Sequence, residues 1–352
     1  MTNVVRALTV ELRQTGSGRL EDVEVPLRGS GQVVVQGLAV GVCGTDHEIL
    51  AGHHGQAPAG RSRLVLGHES LGSVLDAGGS GWAAGDHVAA LVRWPDPRPC
   101  RQCAVGRSDL CTNGRYVEHG IRGIDGFACE RWAVPADRLV AVPARLGICG
   151  VLVEPTSVVA KAWERVEHLD VVDAPGRRRV LVTGAGPIGL LAALLAVQRG
   201  HEVHVVDIVD EGPKPQLVAD LGASYHCGPI SQDLEPEVVM ECSGATDVVS
   251  TVLGRTARNA VVCLTGLSTG GRSVPIDLGA INRELVLEND VVFGSVGAAR
   301  QHYEQAVVAL DQADPSWLAR LITRRMPLAR WPDAFATEPH DVKVVLDLDV
   351  RE

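Results

Sequence analysis

The stretch RRVLVTGAGPIGLLAALLAVQRGHEVHVVD, residues 178–207, decides how this chain is organised. Its opening run, VLVT, is short, apolar and β-branched, the composition of a strand buried on both faces. Gly184, Gly186 and Gly189 follow in GAGPIG, with Pro187 and Ile188 between the last two, and LLAALLAVQ then continues as an apolar helix. Glycines at these spacings permit a tight turn, let backbone approach a pyrophosphate and let the helix pack against the strand, while the helix N-terminus favours an anion. The next strand, HEVHVV, ends in Asp207, 18 residues after Gly189. A carboxylate there accepts from both hydroxyls of an adenosine ribose and repels a 2′-phosphate. Residues 208–211, IVDE, offer no Arg or Lys to receive that phosphate, so the expected cofactor is NAD. Lys214 is a candidate partner for a ribose hydroxyl, and Thr265, Gly266, Leu267 and Ser295 are further candidates for the cofactor site.

Working outward, strand-like runs alternate with amphipathic helices through EVVMECSG, ATDVVSTVLGRTA and NAVVCLTGL, which predicts a parallel doubly wound sheet. Before it, short runs such as VVRALTV and QVVVQGLAV alternate with Gly-containing turns to about residue 143, and the chain closes on another strand, VKVVLDLDV. The expected architecture is α/β: a Rossmann domain, residues 156–295, inserted in a β-rich domain formed by residues 1–155 and 296–352.

At roughly 150 residues per domain, 352 residues accommodate this two-domain reading. Apolar residues at 45% and charged residues at 22% exclude a disordered or fibrous chain. A net charge of −10 disfavours nucleic acid and anionic membrane surfaces as partners. The N-terminus has no continuous apolar segment and no window carries about 18 uninterrupted apolar residues, so the expected location is cytoplasmic. Nine cysteines, an odd number, fit reduced thiols and metal ligands better than a disulfide framework. Of these, Cys129, Cys149, Cys227, Cys242 and Cys263 lie in or near apolar runs and are expected in the core.

Cys43 in GVCGTDHE, His68 and Glu69 in LGHES, and Glu154 in LVEPTS supply the thiolate, imidazole and carboxylate donors that zinc takes. A catalytic zinc needs three such ligands and one open position. Thr45, two residues after Cys43, has a hydroxyl suited to relaying a proton from an alcohol, and Asp46 is suited to orienting a backbone group or a ligand. Cys100, Cys103 and Cys111 form C-x2-C-x7-C, the pattern of a structural zinc lobe that lacks an obvious fourth ligand. Asp96 is the nearest candidate for that fourth position.

On these residues the chain resembles the zinc-dependent medium-chain dehydrogenases/reductases. It is most similar to their glucose dehydrogenase branch, through DLCTNGRYVEHGIRGIDGFACERW (109–132), VLVEPTSVVAKAWE (151–164) and NDVVFGSVGAARQHYE (289–304). The resemblance implies a GroES-like catalytic domain around the Rossmann domain. It implies a catalytic zinc on Cys43, His68 and Glu154, with Glu69 a ligand or a carboxylate exchanging with water. It further implies that Glu118 bonds sugar hydroxyls, helped by His119, and that a sugar such as glucose gives a lactone as hydride passes to NAD. Relatives of this kind are homodimers or homotetramers. The chain departs from the branch in having three lobe cysteines rather than four, and in having Gly297 where an Asn is common. Gly297 leaves room for another polyol, cyclitol or sugar derivative as substrate. A non-catalytic dinucleotide-binding redox sensor is the alternative from another functional class.

Overall fold

A computed structural model describes residues 4–24, 31–169, 176–268 and 273–348. The chain divides into two compact units, residues 1–157 with 297–352, and residues 158–296.

The first unit is built on the long strand Gln32–Val42, whose apolar side chains Val33, Val35 and Val40 are all buried. Glu69–Asp76 and Lys343–Asp347 pair with it antiparallel on opposite sides. The β-rich domain is therefore closed by a strand from the end of the chain, as the VKVVLDLDV run suggested. The register of these pairings places Gly41 opposite Glu69 on one side and opposite Val345 on the other. Leu8, Leu64, Phe127, Trp132 and Leu346 pack into the same core. A smaller sheet joins Arg93–Trp94, Val117–His119 and Gly123–Ile124, with Arg93 directly opposite Glu118.

The second unit holds six parallel strands in the order Ser224–Cys227, Glu202–Asp207, Arg179–Thr183, Val238–Glu241, Val261–Leu264 and Val291–Gly294. The strand order reverses between Arg179–Thr183 and Val238–Glu241, the switch point beside which ligands bind in open α/β sheets. The helix Pro187–Gln198 buries eight of its residues, which its almost wholly apolar sequence requires. Ser224–Cys227 was not legible as a strand: SYHC lies at the sheet edge, and none of its residues is fully buried. Cys227 is exposed there rather than in the core, and Cys242 is only half-buried.

The helix Val153–Leu169 leads from one unit to the other and begins two residues earlier than its Pro155 suggested, because proline is tolerated in a first helical turn. Together with the preceding turns it makes Ala144–Leu169 long and apolar enough to cross a membrane, but 83% of its most apolar window is buried within the protein.

Candidate active site

Cys43 caps the short helix Gly44–Leu50, and its backbone N–H donates to Asp46 Oδ2 at 2.9 Å. The other Asp46 oxygen, Oδ1, lies 3.4 Å from His68 Nδ1, an ion pair in which neither of the two buried atoms completes a hydrogen bond. Burial would raise the Asp46 carboxyl, but the neighbouring His68 and the Cys43 amide outweigh it and hold its pKa below the ordinary value. Burial opposes charge on His68, yet Asp46 and the Cys43 thiol together raise its pKa well above the ordinary value.

Ligand atoms of Cys43, His68 and Glu69 lie within 4.8 Å of one another. A thiolate, an imidazole and a carboxylate gathered this closely, with a carboxylate oriented behind the imidazole, fit a zinc ion. Lys343 is the participant the sequence reading missed: its ammonium donates to both Glu69 oxygens at 2.7 Å and to the Val42 carbonyl at 3.1 Å. Gly41 makes room for this pair, since a Cβ there would lie 1.9 Å from Glu69 Oε2. Glu154 is buried beside the cluster. Burial pushes its carboxyl up to about 7, with Glu69 adding to the rise and His68 and Lys343 opposing it. The structure thus groups Cys43, His68 and Glu69, with the Glu154 carboxyl buried beside them. Thr45 is half-buried on the Gly44–Leu50 helix, and its hydroxyl has no partner among the described residues.

Two of the expected site residues have partners of their own. His119 does not stand beside the Glu118 carboxylate, because successive strand residues face opposite ways. It is buried against Trp94 and Phe127, its Nδ1 lies 2.5 Å from the Asp125 carbonyl, and burial lowers its pKa to about 4. His119 is therefore a neutral imidazole whose Nε2 is buried with no hydrogen-bond partner among the described residues. Asp96 does not complete the cysteine lobe either: its carboxylate accepts from the Arg98 amide at 2.8 Å and from Asn113 Nδ2 at 2.6 Å. Cys100, Cys103 and Cys111 do converge. Backbone N–H groups of Cys103 and Thr112 point at the Cys100 sulfur and hold its thiol at about 5, while burial pushes the Cys103 thiol up to about 11. The Cys111 thiol donates to Asn113 Oδ1 at 2.8 Å, so Asn113 ties the lobe to Asp96.

In the second unit the GAGPIG turn has the expected form. Gly184 takes φ +84°, and a Cβ at Gly189 would lie 1.8 Å from the Gly184 carbonyl oxygen, so only glycine fits. Around Gly186, the cap of the helix Pro187–Gln198, a Cβ would meet nothing within 4 Å, and that open space suits a pyrophosphate. Asp207 Oδ2 accepts from the Ala185 amide at 2.6 Å and pairs with Lys214 Nζ at 3.2 Å. Lys214 is thus placed on the carboxylate itself. Burial opposes ionisation of Asp207, but these partners hold its pKa below the ordinary value. Thr265 donates to the Glu241 carbonyl at 2.8 Å. Gly266 is packed so closely that a Cβ would meet the Gly244 amide nitrogen at 2.2 Å, whereas Leu267 is exposed. Ser295 is buried with its hydroxyl unpartnered, an unmet valence that a nicotinamide or ribose group would satisfy. Buried Glu241, which the sequence reading did not single out, accepts from Ser243, Gly244 and Thr183 and shapes the loops at the switch point.

The glucose dehydrogenase C-terminus family matches residues 147–348, and the alcohol dehydrogenase GroES-like domain family matches residues 29–144. The chain belongs to the zinc-dependent medium-chain glucose dehydrogenase family. Glucose 1-dehydrogenase of Thermoproteus tenax is 38% identical over 353 residues, covering 98% of this chain and 99% of its own. Glucose 1-dehydrogenase of Methanocella arvoryzae is 35% identical with the same coverage. Among solved structures, Haloferax mediterranei glucose dehydrogenase in complex with NADP, zinc and gluconolactone superposes with a TM-score of 0.89 at 30% identity, covering 98% of this chain and all of that one. Membership of a glucose dehydrogenase family makes the chain an oxidoreductase acting on CH–OH groups and sets aside the non-catalytic sensor.

Proposed function

We propose that the chain is a zinc-dependent dehydrogenase that oxidises the anomeric hydroxyl of an aldose such as glucose to a lactone, with NAD as hydride acceptor. The observation that carries this reading is the buried Cys43, His68 and Glu69 cluster with its two charged supports, Asp46 and Lys343. Zinc, when bound there, supplies a Lewis acid that eases loss of the hydroxyl proton. The chain's own residues do the rest. Asp46 pairs with His68, Lys343 holds Glu69, and the unpartnered Thr45 hydroxyl takes up the departing proton as it releases its own to solvent. Glu118 offers an acceptor for sugar hydroxyls, which separates a polyhydroxylated substrate from a simple alcohol.

The choice of NAD rests on Asp207, although the Haloferax relative was solved with NADP. A 2′-phosphate would meet a carboxylate held ionised, and Lys214 is already bound to that carboxylate. A self-associating chain, dimer or tetramer, is part of the reading. The helix Leu278–Glu288 buries none of its residues and exposes Leu278, Val286 and Leu287 near the open edge strand Val291–Gly294. We place it in the cytoplasm on its free thiols and acidic charge.

A second substrate reading, another polyol, cyclitol or sugar derivative, is favoured by Gly297, which packs on a guanidinium where a neutral amide is common in the branch. The test is a panel of aldoses, cyclitols and amino sugars with zinc-loaded protein, followed by absorbance of the reduced cofactor with NAD and NADP in parallel. Turnover of an aldose with NAD supports the proposal. Preference for NADP refutes the role given to Asp207, and turnover confined to cyclitols or amino sugars refutes the aldose.

A further inference from the structure

The buried guanidinium of Arg93 lies next to Glu118 and belongs to neither the metal cluster nor the cofactor turn. Arg93 and Glu118 are directly opposed on antiparallel strands, and both Nε and Nη2 of Arg93 lie 2.9 Å from a single carboxylate oxygen, Oε1. The second oxygen, Oε2, has no hydrogen bond among the described residues. Nη1 donates to the Asp109 carbonyl at 3.1 Å, which anchors the guanidinium to the cysteine lobe, and its Cζ lies 4.0 Å from the centre of the Tyr116 ring. The Arg93 side chain is only 6% exposed, so this is a desolvated pair with a fixed geometry.

Gly297 is the other half of the arrangement. A Cβ at this position would lie 3.3 Å from both Cζ and Nη2 of Arg93, tighter than ordinary van der Waals contact, so the missing side chain leaves the space that the guanidinium fills. Its φ of +65° is one that Asn tolerates almost as well as Gly, which means backbone conformation alone does not demand glycine here. Arg93 is also next in sequence to a residue bonded to Tyr303. The Val92 amide donates to the Tyr303 hydroxyl at 3.3 Å, and that hydroxyl lies in the electrostatic reach of both Glu154 and Glu118.

We propose that Arg93 is a positioning residue that sets substrate specificity: packed into the space left by Gly297, it holds the Glu118 carboxylate by one oxygen and aims the other at the substrate. The inference rests on the sugar-binding role proposed for Glu118. The subsite becomes a neutral, rigid donor–acceptor couple instead of a free carboxylate beside a neutral amide. Because Arg93 acts on binding and not on the reacting carbon, its loss weakens KM for the sugar and leaves kcat and the cofactor nearly untouched.

The experiment is steady-state kinetics on the zinc-loaded enzyme with the best substrate from the panel. Arg93→Met should raise KM for the sugar by about 10- to 100-fold, the worth of a hydrogen bond to a charged group, with kcat and KM for NAD within about threefold. Arg93→Lys, which keeps the charge but loses the fork, should recover part of that loss. Gly297→Asn should raise KM by about tenfold in the native background by pushing the guanidinium aside, and by less than about twofold in an Arg93→Ser background where the space is empty. The Lys variant and the Gly297 pair carry the test if Arg93→Met does not fold. An unchanged sugar KM in Arg93→Met, or equal effects of Gly297→Asn in both backgrounds, overturns this inference and leaves the proposed function standing. Absence of wild-type turnover with every member of the panel overturns both.

Discussion

Replacing Lys343 by Met removes the only cation in contact with Glu69 among the described residues. Both Lys343–Glu69 contacts are 2.7 Å, and the two side chains are 2% and 1% exposed, so water cannot substitute for the ammonium. Lys343 carries its charge despite burial because Glu69 and the Cys43 thiol outweigh the desolvation and raise its pKa. Breaking a buried pair by removing one partner costs about 3–5 kcal/mol, chiefly as an uncompensated charge. At about 2–4 °C per kcal/mol for a unit of this size, the melting temperature should fall by about 6–20 °C. The cost should be largest in chelator-treated protein and shrink on adding zinc, because a cation among Cys43, His68 and Glu69 supplies a second counter-charge. Adding Glu69→Gln to Lys343→Met removes the stranded carboxylate and should return stability to within about 1 kcal/mol of the native protein. Thermal unfolding followed by circular dichroism, with and without zinc, reads all three. A loss below about 1 kcal/mol in the chelator-treated variant, or a double variant no more stable than Lys343→Met alone, would refute the argument.

Three further expectations concern other parts of the molecule. Gly189→Ala forces a methyl to within 1.8 Å of the Gly184 carbonyl oxygen; the turn must open, costing about 1–3 kcal/mol, and NADH fluorescence titration should show binding lost while zinc content is unchanged. Metal analysis after dialysis should find about one zinc per chain, because Asn113 and Asp96 satisfy the cysteine lobe through hydrogen bonds and supply no fourth ligand; two zinc ions, with one lost in Cys100→Ser, would refute that view. Arg324 grips Asp341 at 2.6 and 2.8 Å and, against the effect of burial, holds its carboxyl below the ordinary value. A lowered carboxyl pKa stabilises the fold above the unfolded value of about 3.9, and the benefit fades as pH falls through the lowered native value. Asp341→Asn should therefore cost about 1 kcal/mol near pH 7 and nothing below the native value, read from melting temperature against pH; an equal cost at both ends would show that the charge is immaterial.

What was legible in the sequence follows from how locally each feature is encoded. GAGPIG could be read because strand, turn and helix are contiguous, and the steric need for glycine at 189 arises from a carbonyl only five residues away. Cys43, His68 and Glu69 were recognisable by donor type, and Asp46, read as suited to orienting a backbone group or a ligand, accepts from the Cys43 amide. Lys343 was not, since it meets Glu69 across 274 residues of sequence and sits in a strand that otherwise reads as plain apolar core. The role expected of His119 came from the resemblance, and a motif does not show that strand alternation puts His119 and Glu118 on opposite faces. Asp96 was read as a fourth ligand from its place shortly before Cys100, but sequence position does not reveal that the Asn113 amide already holds its carboxylate.

Gly41 and Gly297 show where the remaining information resides. Neither lies in a turn whose type would have announced it, and at both the absent Cβ marks a charged group from elsewhere: the Glu69 carboxylate at 1.9 Å and the Arg93 guanidinium at 3.3 Å. Each of those groups is in turn neutralised by a partner on an adjacent strand or the terminal strand, Lys343 for Glu69 and Glu118 for Arg93. At these two positions the glycine leaves the space that a member of a buried ion pair occupies. Charge pairing explains why the space must be kept open: filling it would displace one ion from its partner inside a desolvated site, a larger loss than the packing a methyl group would gain.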